Sequence, residues 1–260
     1  MLPTKEFGKI FQVKSSSRRK ASPHKAKYLS CKSPDSFIVG TFFLATIFCY
    51  NNTMEEKNKE IKDWLGTGSI NIFGLPMSGK DTQGIRLAEA IGGKFLSSGL
   101  IIRAMEENTK KSYSDKGALI PTNVFYEWVL PYFERRDLFD YPLILSSIGR
   151  WYGEEDAVMT AAASGGHEIK AVILLNISET DAETRFDVAK TLGDRGDRAD
   201  DKDIEIFRTR LEEFRTKTAP VLQHYKELGL LININGDQSR DAVFAELVEK
   251  LYAKTLESLS

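Results

Sequence analysis

Ser69-Ile-Asn-Ile-Phe-Gly-Leu-Pro-Met-Ser-Gly-Lys-Asp-Thr82 is the stretch that decides the fold. Its first five residues alternate apolar and polar, which predicts a strand ending at Phe73. Thr82–Ile91 repeats apolar residues at helical spacing (Ile85, Leu87, Ala88, Ile91), which predicts a helix. Between them, Gly74-Leu-Pro76-Met-Ser78-Gly79-Lys80 fits G-x-x-x-x-G-K. Such a loop holds phosphate oxygens with inward-turned backbone N–H groups, so glycine is needed where a side chain would intrude. The helix behind it adds free N-terminal donors and the positive end of its dipole. Lys80 adds a point charge toward β- and γ-phosphates. The competing account is a plain strand-turn-helix corner with a chance lysine. The placement between strand and helix favours a nucleotide site. Asp81 stands where Ser or Thr usually follows the lysine, and Thr82 comes one residue later.

Outward from this loop, strand and helix alternate to the end of the chain. Strands are predicted at Lys94–Ser97, Tyr141–Leu145, Ile169–Leu175 and Leu230–Ile234. Helices are predicted at Glu55–Leu65, Gly99–Glu107, Pro121–Glu134, 154–163, 180–191, 203–228 and Ser239–Leu256. The compact apolar runs suit strands buried on both faces, so the class is α/β with a parallel sheet. The 260 residues are 42% hydrophobic and 28% charged, with a formal net charge of −1, which gives no bulk reason to expect a nucleic-acid partner. Cys31 and Cys49 both precede the globular part, which leaves it without a disulfide framework or a cysteine metal site.

Residues 1–53 differ from the rest. Lys5, Lys9, Lys14, Arg18, Arg19, Lys20, Lys25, Lys27 and Lys32 precede an uncharged apolar run, Phe37–Tyr50. The run is short for a membrane span, and no small-x-small cleavage site follows it. Met54 opens a polar segment of the kind that begins a globular domain. Three readings stay open: upstream sequence outside the native protein, a membrane anchor or export signal, and a basic tail. The expected domains are therefore 1–53, an extension, and 54–260, the catalytic part. A cytoplasmic location is expected, with membrane anchoring or export as the alternative if the extension is genuine.

From the phosphate loop to about Ala253 the chain resembles the adenylate kinase family of nucleoside monophosphate kinases. Gly74–Gln83 matches the family's G-x-P-x-[SA]-G-K-G-T-Q except at Asp81. Ser97–Arg103 echoes S-T-G-D-x-x-R, Gly117–Pro121 echoes G-x-L-V-P, and Leu145–Arg150 faintly echoes L-D-G-F-P-R. Arg198-Ala-Asp-Asp201 is similar to the lid edge, and Arg210-Leu-Glu212 with Thr218–Tyr225 to the following helix. The resemblance implies a P-loop NTPase fold, with helices on both faces of the sheet, a helical acceptor-binding insertion at about 98–140 and a short lid at about 193–201. It implies ATP as donor, Mg²⁺ carried with the nucleotide, a nucleoside monophosphate as acceptor and a monomer. So short a lid, without cysteines, implies no zinc.

The same resemblance assigns roles. Lys80, Arg150, Arg198 and Arg210 would be catalytic, with Arg195 as a further candidate. Gly74, Pro76, Ser78, Gly79, Lys80, Asp81, Thr82 and Gly236 would hold ATP, although a plain β-turn accounts equally for Gly236. Ser98, Gly99, Arg103, Ile120, Arg150, Glu154 and Arg198 would hold the acceptor. Several positions depart from the pattern. Leu192 replaces an arginine, Leu100 and Ser146 replace two acids that orient the metal's waters, and Glu154 replaces a base-reading glutamine. An ionised Glu only accepts hydrogen bonds, which puts adenine as the acceptor base in doubt. Asp81 either takes over part of the lost acid's task or is a plain helix N-terminal acid. The alternatives are a nucleotide-binding module that has lost turnover, and a P-loop kinase for another small acceptor.

Overall fold

The computed structural model describes residues 54–110, 112–113, 117–192 and 203–259, and one compact unit spans Lys57–Ser260. Helix α1 runs over 54–65 and buries Ile61 and Leu65. Then follow β1 (Ser69–Gly74), α2 (Lys80–Ile91), β2 (Lys94–Ser97), α3 (Ser98–Thr109), α4 (Thr122–Trp128) and β3 (Leu143–Ser146). After these come α5 (Glu154–Ser164), β4 (Ile169–Asn176), α6 (Glu179–Leu192), α7 (Ile204–Glu213), α8 (Ala219–Glu227), β5 (Leu231–Asn235) and α9 (Arg240–Leu259). The apolar run at 37–50 and the lid at 193–201 lie outside the described residues. Among those described, no helix is long and apolar enough to cross a membrane.

The strands form one parallel sheet in the order β2-β3-β1-β4-β5. Ile70, Ile72, Leu143, Ile144, Leu145, Ala171, Val172 and Ile173 are fully buried, as expected where helices cover both faces. On one face α2 is tied to α9 by Arg86–Asp241 at 2.8 Å and by Gln83 Nε2 donating to the Arg240 carbonyl at 2.9 Å. On the other, α5 meets α8 through Glu155 and His224. The chain leaves β1 toward β2 and later returns to place β3 between them. Loops from β1 and β3 therefore open side by side at the carboxyl edge, where parallel sheets hold ligands.

Two helix expectations are revised. The predicted helix over Pro121–Glu134 stops at Trp128 and continues as a 3₁₀ turn at Leu130–Glu134. Pro131 has no N–H to donate to Glu127, so the backbone tightens and Tyr132 N donates to Val129 O instead. The predicted helix over 203–228 is continuous but contains a π turn at Phe214–Thr218.

Candidate active site

The phosphate loop is fixed by close approach and by packing. A Cβ on Gly74 would lie 2.5 Å from Ser78 Oγ and 3.0 Å from the Leu175 carbonyl, so only glycine fits there. Gly79, at φ 86°, turns the chain into α2 and brings no side chain to cap it, which leaves the first N–H groups of the helix for a ligand. Met77 also has positive φ, 66°, which costs a residue with a side chain roughly 1–3 kcal/mol. Burial offsets that strain: Leu75 and Met77 pack with Ala182 and Phe186 of α6 and with Phe207 and Leu211 of α7. Phe186 and Phe207 are themselves stacked, with centroids 4.5 Å apart.

Two cavities open above the sheet edge. The smaller, about 530 Å³ of open space, is lined by Gly74, Pro76, Lys80, Asp81, Ser98, Gly99, Arg103, Ser146, Arg150 and Arg210, among others. The larger, about 690 Å³, is lined by Ser98, Gly99, Arg103, Ile120, Phe125, Trp151, Glu154, Arg150 and Arg210, among others. Three arginines thus border both. Ser78 and Gly79 complete the loop without lining either cavity, and Thr82 is exposed. Gly236 lies apart, at the end of β5. A Cβ there would come within 2.9 Å of the Asn176 carbonyl, and Arg185 Nη2 donates to its own carbonyl at 2.8 Å. Arg195 and Arg198 lie outside the described residues.

This arrangement, found in a collinear set of motifs, can be compared with known proteins. No family model matches the chain. It is 31% identical over 213 residues to the adenylate kinase of Bacillus subtilis, covering 70% of this chain and 97% of that protein. It is 30% identical over 188 residues to the adenylate kinase of Phocaeicola vulgatus, covering 69% and 96%. The adenylate kinase of Agrobacterium fabrum matches at 31% over 190 residues, covering 70% and 96%. The chain belongs to the adenylate kinase family. It is accordingly a phosphotransferase, and its parallel α/β architecture is that of P-loop enzymes.

Within this adenylate kinase scaffold the loop after β3 is held from several sides. Asn71, a polar residue in the middle of β1, donates to the Ile148 carbonyl at 2.7 Å. Ser98 Oγ donates to the Ser147 carbonyl at 2.8 Å. Glu154 Oε2 accepts from Arg150 N at 2.9 Å and Trp151 N at 3.0 Å, while Oε1 accepts from Thr122 Oγ1 at 2.9 Å. Burial pushes the Glu154 carboxyl above its usual value against those bonds. Glu213 accepts from Leu119 N at 3.3 Å and from Lys217 Nζ at 2.7 Å, and that ammonium sits 3.9 Å from the Trp151 ring centre. These contacts make a bracket of loop 117–120, the π turn and loop 148–153 around the larger cavity. A Cβ on Gly117, at φ 74°, would meet the Ile206 carbonyl at 2.7 Å and Arg210 Cγ at 3.2 Å, so that loop can lie directly against α7.

The cations are arranged at an electrostatic cost. Burial first, and neighbouring Arg210 second, pull the Arg150 guanidinium down to about 10. It remains charged at neutral pH. Arg103 folds back over Gly99, where a Cβ would lie 3.3 Å from Nη1. A guanidinium as desolvated as that of Arg150 favours an incoming anion beside it.

Sequence reasoning missed Asn71, Glu213, Lys217 and Trp151. Only Asn71 carried a signal, as a polar residue inside an apolar strand. The far side of the same loop rests on Glu155, which is buried and accepts from Gly153 N at 2.7 Å and from His224 Nδ1 at 2.9 Å. The bond to Glu155 raises the His224 imidazole above its ordinary value. A raised imidazole contributes stability fully below about pH 6.5 and loses it as pH rises through the folded-state value. Denaturation midpoints of the native chain should therefore fall as pH rises above about 6.5, and His224→Gln should flatten that slope.

Proposed function

We propose that this chain transfers the γ-phosphoryl group of ATP to a nucleoside monophosphate, AMP or a close relative, giving two diphosphates. The observation that carries this reading is the shared wall of the two cavities. Arg103, Arg150 and Arg210 border both, whereas Lys80 borders only one, and Ile120 and Glu154 only the other. Cations between two anion sites are what transfer between two phosphate tails requires, because the protein's share of the work is positioning and charge stabilisation.

ATP enters along Gly74–Lys80, with its phosphates on the inward N–H groups and Lys80, and its base near the Asn235–Asp237 turn at Gly236. The acceptor occupies the larger cavity. Its monophosphate meets Arg103 and Arg150, Ser98 touches the nucleotide, and the base lies by Ile120 and Glu154. An acceptor phosphate oxygen attacks the γ-phosphorus, the bond to the β–γ bridging oxygen breaks, and ADP departs with that electron pair. Arg150 and Arg210, with Arg198 from the lid, balance the charge on the moving group.

The family implies Mg²⁺ with the nucleotide, and the residues fit it. The first turn of α2 supplies the Asp81 carboxylate. Ser78 Oγ is buried and has no hydrogen-bond partner among the described residues. Asp81 and Ser78 would hold the ion or its waters, and it would supply positive charge against that of the phosphates.

A coupled assay with ATP, Mg²⁺ and AMP, dAMP, CMP, UMP or GMP tests this reading. Diphosphate is expected from at least one acceptor, and Glu154→Gln should move the preference toward AMP. ATP binding without turnover on any acceptor would leave a nucleotide-binding module. Turnover only outside the panel would leave a P-loop kinase for another small acceptor.

A further inference from the structure

The smaller cavity contains a charge that looks misplaced. Its lining brings together Lys80, Arg103, Arg150 and Arg210, all suited to phosphate, and one acid, Asp81. A carboxylate beside a polyphosphate repels it unless a cation lies between them. A first-turn acid is also favoured by the helix dipole, and for that purpose it can point to solvent. Asp81 does not stand alone in this way. Its Oδ1 accepts from Ser146 Oγ at 2.6 Å, across 65 positions of sequence. Ser146 is the last residue of β3 and is almost completely buried. It stands beside Ile72 of β1 and Ser97 of β2 in the register of the sheet. The bond therefore holds the carboxylate over the carboxyl ends of the two strands whose loops form the cavity.

We propose that Asp81, oriented by Ser146, is the carboxylate through which this chain holds the divalent cation of its donor nucleotide. The acid sits on the phosphate-loop helix and the hydroxyl on the strand, an exchange of the arrangement in the resembled pattern, where the strand position carries the acid. Asp81 takes the metal or its waters as an oxygen ligand, as Mg²⁺ prefers. Ser146 is a positioning residue that directs one oxygen of Asp81 and so fixes the carboxylate at the wall of the cavity. The exchange also explains why the strand can lose its acid without leaving the donor site uncompensated.

This inference rests on the proposed ATP site, and the experiment separates the two. Titration calorimetry on the full chain compares the affinity for ATP with Mg²⁺ and for ATP with EDTA, and the readout is the ratio of the two. In the native chain Mg²⁺ should tighten binding. Asp81→Asn should lower that ratio about tenfold or more while leaving metal-free ATP binding as tight or tighter, because a repulsive charge is gone. Ser146→Ala should lower it in the same direction, with Ser146→Thr restoring it. Asp81→Gly combined with Ser146→Asp should recover most of the ratio. Binding in EDTA also reports that each variant is folded. An unchanged ratio in Asp81→Asn, or an equal loss with and without the metal, overturns the proposal. No ATP binding by the native chain under either condition would instead overturn the nucleotide site itself.

Discussion

Lys80→Met keeps the fold and melting temperature of the native chain and loses phosphoryl transfer by about 10³-fold or more. Lys80 is the first residue of α2 and follows the left-handed Gly79, so its ammonium enters the phosphate-side cavity from a fixed point. Methionine keeps an unbranched stem of similar length and a similar helix propensity, so the backbone has no reason to move. Only the charge disappears. Circular dichroism melting and the coupled diphosphate assay, run on the same preparation, check both halves of the expectation. A variant that stays active would mean that the loop at 74–80 does not hold the donor.

The second large effect has opposite signs in two measurements. Arg150→Ala should lower kcat/KM on the order of 10³-fold, while the ligand-free protein melts at the same temperature or higher. The guanidinium is desolvated and lies near Arg210, and both effects depress its pKa to about 10. A base whose folded pKa lies below its unfolded value is a burden on the fold at any pH below the folded value. At neutral pH that burden is lifted by an anion or by removing the charge. Inorganic phosphate or AMP should accordingly raise the melting temperature of the native chain more than that of Arg150→Ala. Arg150→Lys should recover little activity, since a point charge does not reproduce the two-pronged contact with phosphate. A melting temperature several degrees lower in Arg150→Ala would give the residue a structural role instead.

Much of this architecture was legible in the chain itself, for physical reasons that can be named. The five strands announce themselves as short apolar runs because a parallel sheet covered on both faces has no polar side to display. The phosphate loop was legible because its glycine positions follow from backbone geometry, as the 2.5 Å approach of Ser78 to Gly74 illustrates. What stayed hidden depends on distance along the chain. Nothing local links Asp81 to Ser146, or Glu213 to Leu119, since each contact closes only when the sheet and helices are assembled. The strain at Met77 was hidden for the same reason. Its compensation lies more than a hundred residues away, on Leu75's and Met77's shared neighbours Phe186 and Phe207. The break after Trp128 was legible in retrospect from Pro131.

The wide turn at Phe214–Thr218 acts as a vernier between two halves of one rod. Each residue advances a helix by about 100°, so one extra residue resets the angular phase of everything beyond it. Ahead of it, Arg210 lines the cleft and Glu213 holds Leu119 N; behind it, Val221 and Tyr225 are fully buried, the latter with its ring 6.1 Å from that of Phe73. Shortening the rod there by a single residue would leave no setting in which both halves engage, and either the guanidinium would swing away or the tyrosine would be unseated. Length at this point is thus as constrained as the identity of the arginine.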